Sequence, residues 1–161
     1  MDVKYHVIST LVENKPGVLQ KVSGLFTRRD FNIDSITVGE SEVDGLARMI
    51  ITVKAEDAVL EQVTKQLNKL VDVIKIKDIT KTAVKRELCL VKVNIPNAKA
   101  RAEIMQYSNI FRAHILDVTE QTLMIELTGD KKKINAFISL VESYGIKRIA
   151  RTGLTAMSRG V

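Results

Sequence analysis

Tryptophan is absent from this 161-residue chain, and aromatic residues together make up only 4% of it. The core must therefore be assembled from Val, Ile, Leu and Ala. Cysteine occurs once, as Cys89 in the apolar run Leu88-Cys89-Leu90-Val91. No intrachain disulfide can form, which fits a reducing compartment, and Cys89 reads as a small core residue. No apolar run approaches the roughly 20 residues that span a bilayer. The opening Met1-Asp2-Val3-Lys4 lacks the apolar region of a signal peptide. A cytoplasmic protein without membrane contact is expected.

Chemistry-bearing motifs are missing as well. No P-loop, G-x-S-x-G or G-x-G-x-x-G pattern occurs. The two histidines, His6 and His114, fall in expected strands and belong to no metal-spaced cluster with Cys or carboxylates. The sequence identifies no catalytic residue, no metal ligand and no cofactor-binding motif, so the chain is not read as an enzyme.

What is present is an ordinary soluble composition, 45% apolar and 27% charged. The formal net charge of +6 is uneven. Residues 1–80 carry 11 Lys/Arg against 12 Asp/Glu, whereas residues 81–161 carry 14 against 7. Two units with different surfaces are indicated, meeting at Thr80-Lys81-Thr82. The basic half could face an acidic protein or nucleic acid. The run Lys131-Lys132-Lys133 reads as the solvated start of a helix.

The same element order occurs twice. In the first half, Val3–Val12 reads as a strand, and Val18, Val22 and Leu25 share one face of a helix. Phe31–Gly39 and Leu46–Val53 read as strands joined by a hairpin at Asp44-Gly45. Val59, Val63, Leu67 and Leu70 stripe a second helix, and Val73–Ile79 closes the half as a strand. In the second half, Leu88–Ile95 is a strand, and Ala100, Ile104, Tyr107 and Phe111 stripe a helix. Ala113–Val118 and Leu123–Leu127 form a strand pair. Ile134, Phe137, Ile138 and Val141 stripe the last helix, and Ile146–Ala150 is the last strand, followed by a Gly-containing tail. The expected fold is α+β: two tandem ferredoxin-like βαββαβ domains, residues 1–80 and 81–161. Each is small, so burial of its open sheet face on a partner, as in an obligate dimer, would stabilise it. RNA-binding members of this fold stack bases on sheet aromatics. Neither Leu46–Val53 nor Leu123–Leu127 contains an aromatic residue, so a nucleic-acid partner is not expected.

The turn Asn14-Lys15-Pro16-Gly17 is the one local feature suited to a ligand. A helix start offers unpaired N–H groups and the positive dipole end to a carboxylate. Gly17 permits close approach, Pro16 would fix the chain's entry into the helix without losing a needed donor, and Asn14 and Asn32 could meet an ammonium group. Val18, Leu19 and Ile33 could form an apolar wall. A plain strand-to-helix turn accounts for the motif equally well. The helix start and the first residues of the second strand are expected at one end of a βαβ unit.

The segments Leu11-Val12-Glu13-Asn14-Lys15-Pro16-Gly17-Val18-Leu19, Gly24-Leu25-Phe26-Thr27-Arg28-Arg29 and Phe31-Asn32-Ile33-Asp34-Ser35 resemble an ACT domain. More narrowly, they are similar to the regulatory (small) subunits of acetolactate synthase, or acetohydroxyacid synthase. The likeness extends through Gln66–Val73, Arg86–Val93, Ile110–Ala113, Ile115–Val118 and the tail from Ala150 to Gly160. It implies an N-terminal ACT regulatory domain, followed by an ACT-like C-terminal domain of less defined role. It also implies a catalytic large-subunit partner that holds thiamine diphosphate, magnesium and FAD. The small subunit would stimulate that partner and confer feedback inhibition by a branched-chain amino acid, typically valine. The effector would sit where ACT domains pair in a homodimer, near Asn14, Pro16, Gly17, Val18, Leu19, Asn32 and Ile33. A free-standing ACT-type amino-acid sensor acting on another protein is the alternative. Asp30 departs from the family, which commonly has glycine there; a carboxylate close to a ligand carboxylate would weaken binding.

Overall fold

The computed structural model describes residues 2–160. They form two tandem ferredoxin-like βαββαβ units, each an antiparallel sheet with two helices on one face. One compact unit runs to Val84 and takes in the tail from Leu154; the other is Lys85–Gly153.

In the first unit, β1 (Lys4–Glu13) leads into α1 (Val18–Arg28). The hairpin of β2 (Ile33–Glu40) and β3 (Leu46–Ala55) follows, and α2 (Asp57–Asn68) and β4 (Val73–Asp78) complete the unit. Gly45 takes φ +77° in the hairpin loop, a conformation that favours glycine. The strand order is β2-β3-β1-β4, which leaves β2 and β4 as edges. Ile8, Val12, Met49, Ile51 and Val53 alternate along the covered face and meet Val18, Val22, Leu25 and Phe26 of α1. Burying each such side chain contributes roughly 1.5–3 kcal/mol. On α2 the buried stripe is Leu60, Val63 and Leu67, whereas Val59 is only half-buried. The expected stripe was one residue out of phase at its start, since either residue fits a helical spacing to Val63 and Leu67. Leu70 lies beyond the end of α2, half-buried against the same core.

In the second unit, β5 (Ala83–Asn94), α3 (Ala98–Ile110), β6 (His114–Val118), β7 (Thr122–Gly129), α4 (Lys131–Val141) and β8 (Ile146–Arg151) repeat the pattern, with strand order β6-β7-β5-β8. Its core joins Cys89, Val91, Val93, Leu123, Ile125 and Leu127 to Ile104 on α3 and to Ile134, Phe137 and Val141 on α4. Phe111 meets Phe137 edge-on at 5.4 Å between ring centroids. Asn97 and Asp130 cap the two helices, accepting from the backbone N–H of Ala100 (2.8 Å) and Lys133 (2.9 Å).

The tail differs from expectation. It is not a loose end of the second unit: it contains a ninth strand, β9 (Thr155–Ser158), which pairs with β5, whose first residues belong to the first unit. Leu154 and Ala156 pack with Val7, Ile50 and Ile79 on the face of the first sheet that carries no helix. The Leu154 N–H donates to the Ser35 hydroxyl (3.2 Å), and the Arg159 N–H to the Thr82 carbonyl (2.8 Å). Part of the open face is thus covered by the chain itself. The division therefore falls at Val84 rather than residue 80, and the tail belongs to the first unit.

Candidate ligand-binding site

At the top of β1 the Asn14 N–H donates to the Gly45 carbonyl (2.9 Å), tying the turn to the β2–β3 hairpin. Gly17 then takes φ +87° and immediately precedes α1. A Cβ built there would meet no heavy atom within 4 Å, so the space above the turn is open. Pro16 lies in the entry to the helix, which begins at Val18 after the left-handed Gly17.

The first i→i−4 bond of α1 runs from the Lys21 N–H to the Gly17 carbonyl (3.0 Å), and the Val18 N–H reaches the Lys15 carbonyl at only 3.5 Å. The N–H groups of Leu19 and Gln20 have no carbonyl one turn back. No side chain caps α1, and its first turn holds no acidic residue. By contrast, α3 and α4 carry side-chain caps, and α2 carries Asp57 in its first turn. The positive end of α1 is therefore the one that its own helix leaves uncompensated.

Beneath this turn lies Asp72, whose side chain is 5% exposed. Its carboxylate takes Lys21 Nζ at 2.8 Å on one oxygen and Lys15 Nζ at 2.9 Å on the other. Lys15 is also paired with Glu13, whose N–H donates to the Asp72 carbonyl (2.9 Å). Lys21 and then Lys15 hold the Asp72 carboxyl below the usual aspartate range. Glu13 and Asp72 together push the Lys15 ammonium above its ordinary value. Both lysines are thus satisfied internally, and the field above the turn comes chiefly from the helix start. Sequence reasoning did not connect Asp72 to Lys15 and Lys21, since nothing local signals that Asp72 meets a turn more than fifty positions away.

Of the expected apolar wall, Val18 is only 3% exposed and belongs to the core. Leu19 is 48% exposed and free to face a ligand. Asn14 and Asn32 are exposed, and Ile33 is half-buried at the start of β2. These residues do not converge within one chain. Ile33 pairs with Val53, and Val53 pairs with His6, so Ile33 is level with the start of β1. Asn14 follows the other end of that strand, roughly 26 Å along it at about 3.3 Å per residue. The expectation that both lie at one end was wrong: β2 and β1 are each antiparallel to β3, hence parallel to one another.

Asp30, two residues before Asn32, takes φ +58°. This left-handed position suits glycine, and Asp is among the residues that tolerate it.

His6 is buried, and its Nε2 donates to the Ala55 carbonyl (3.0 Å). The His114 ring is 76% exposed, 3.7 Å from Glu126. Cys89 is fully buried, and burial pushes its thiol pKa up. Among the described residues, no group of three or more His, Cys, Asp or Glu is placed to hold a metal. Nor, among them, is any helix long and apolar enough to cross a membrane.

Two family models match the chain: "AHAS small subunit-like ACT domain" over residues 8–75 and "Small subunit of acetolactate synthase" over residues 86–160. A Methanothermobacter thermautotrophicus protein named "Probable acetolactate synthase small subunit" is 61% identical, the match covering 99% of this chain and 96% of that protein. The acetolactate synthase small subunit of Mycobacterium bovis is 47% identical, over 99% of this chain and 95% of its own. The crystal structure of the small subunit from Thermotoga maritima superposes with a TM-score of 0.91 at 46% identity, covering 98% of this chain and 99% of that one.

Proposed function

The chain belongs to the acetolactate synthase small-subunit family, and from that premise we propose that it stimulates a separate catalytic large subunit and makes it sensitive to a branched-chain amino acid. The observation that carries the effector half of this reading is the open, uncompensated start of α1 above Gly17. It suits the carboxylate of an amino acid. Leu19 and Ile33 offer a small apolar surface, which fits a side chain of valine's size better than a large one.

The separation of the two half-sites supports a site shared between copies. β2 is an edge strand, and Glu40 at its far end is level with Val12 through Ala47. Pairing β2 against β2 in an antiparallel dimer inverts the partner. That brings Asn32 and Ile33 of one copy towards the Asn14–Gly17 turn of the other. Asp30 travels with them, so its carboxylate would approach the same helix start and oppose the ligand's own charge. Thiamine diphosphate, magnesium and FAD, in this reading, belong to the large subunit. An effector that favours one quaternary state by about 1–3 kcal/mol changes the partner's behaviour roughly 5- to 150-fold.

The test is reconstitution with the cognate large subunit, measuring acetolactate formation with and without valine, leucine and isoleucine. The chain alone is expected to make no product and to raise the large subunit's rate. Gly17→Asp places a carboxylate in the open space and is expected to abolish effector inhibition while leaving stimulation in place. An unchanged large-subunit rate sinks the regulatory reading; full inhibition in Gly17→Asp moves the effector elsewhere.

A further inference from the structure

The second edge of the first sheet, β4, has a different character from β2. Lys75 and Lys77 both point to the face without helices: Lys75 pairs with Leu11 and Lys77 with Ser9, on rows that continue to Arg48 and Ile50 of β3. The tail forms a wall on that face, leaving a groove of about 580 Å³ lined by Ser9, Leu11, Arg48, Lys75, Lys77 and Met157. Arg48 is partly neutralised by Glu42 (2.9 Å) and also reaches the Ser9 hydroxyl (3.4 Å). Lys75 and Lys77 are exposed, and neither forms an ion pair or side-chain hydrogen bond within the described residues. Apolar surface is exposed along the same edge: Val71 is 89% exposed just before β4, Ile74 is 53% exposed within it, and Met157 is 70% exposed on the wall.

An edge strand carries a row of unpaired backbone N–H and C=O groups, and a segment added there gains main-chain hydrogen bonds plus side-chain contacts at alternate residues. Two such edges exist on this sheet, and charge assigns them different occupants. A second copy docked β4 to β4 would bring two pairs of uncompensated lysines together, and like charges across a pairing are destabilising. A segment with carboxylates at alternate positions would instead set them beside Lys75 and Lys77, with its other residues available to the exposed aliphatic surface.

We infer that β4 is the docking edge for the large subunit, through an extended segment of that subunit with acidic residues at every second position, which adds to the sheet beside Lys75 and Lys77. This rests on the reading of the chain as a regulator of that subunit. The β2 edge serves pairing between copies, and the β4 edge serves the heterologous partner.

The experiment measures binding of the full-length chain to the cognate large subunit by titration calorimetry, at 50 and 500 mM salt, alongside valine binding to the chain alone. Lys75→Glu/Lys77→Glu is expected to weaken large-subunit binding by at least about tenfold at low salt. High salt should narrow the gap, and valine binding should stay unchanged. Lys132→Glu/Lys133→Glu, with the same change of net charge, should bind as the wild type does. Amide exchange over Val73–Asp78 is expected to slow in the complex. Equal binding by the Lys75/Lys77 variant, equal loss in the Lys132/Lys133 variant, or unprotected β4 amides each overturn the assignment while leaving the regulatory reading intact. So does Lys75/Lys77-dependent binding of a 20-nucleotide single strand without any change towards the large subunit. A wild-type chain that does not bind the large subunit at all overturns both.

Discussion

Asp72 holds two lysines, one on each carboxylate oxygen, and through them fastens the turn before α1 and the first turns of that helix to the strand that follows α2. Its pH behaviour has a definite sign. A carboxyl held below its unfolded value stabilises the fold above that value, about 3.9, and the contribution is lost as pH falls through the folded value. Asp72→Asn removes the charge at every pH. Urea midpoints are therefore expected to lie lower in the variant at pH 7, with the gap closing as pH falls below the unfolded value and through the lowered folded one. A gap unchanged over that fall would mean that Asp72 acts by packing alone. The turn itself was legible because its chemistry is local: a glycine at left-handed φ before a helix start is written in adjacent residues. The clamp was not, because Lys15 and Asp72 meet only once the whole first unit has closed.

At the level of elements, periodicity identified all four helices and the strands that carry the two cores, since 3.6- and 2-residue alternation follows directly from backbone geometry. It failed where an element has no partner nearby in sequence. β9 is four residues long with alternating exposure, and its pairing with β5 and its packing on Val7, Ile50 and Ile79 both come from residues far back in the chain. Leu154 is 3% exposed in that cluster. Leu154→Ala is expected to destabilise the chain by roughly 2–4 kcal/mol in urea unfolding, the ordinary cost of a cavity. Met157→Ala, on the exposed side of the same strand, should change stability by less than about 0.5 kcal/mol. Equal effects would show that the tail does not belong to the core.

For the molecule as a whole, the register of β1, β3 and β2 sets Asn32 and Ile33 at the opposite end of β1 from the Asn14–Gly17 turn, so in the proposed dimer each ligand site draws on both chains. Sequence reasoning placed these candidate residues at one end, because spacing along the chain does not reveal that β2 runs parallel to β1. The arrangement predicts complementation. Gly17→Asp and Asn32→Ala should each abolish effector binding alone. Co-expressed in equal amounts, they should restore about a quarter of the sites, since half the dimers are mixed and each mixed dimer holds one intact pair. Calorimetric stoichiometry checks this; no recovery would return the site to a single chain.

The tail's return to the first unit also has a consequence in time. The chain leaves that unit at Val84 and rejoins it at Leu154, so the second unit is an insertion within the first. On a ribosome, the residues that cover Val7 and Ile50 emerge about 70 residues after the rest of their unit, a delay of roughly 4–14 s at ordinary elongation rates. Through that interval the N-terminal unit waits unfinished with part of its sheet bare, while the later-made unit has all its own strands and can close first.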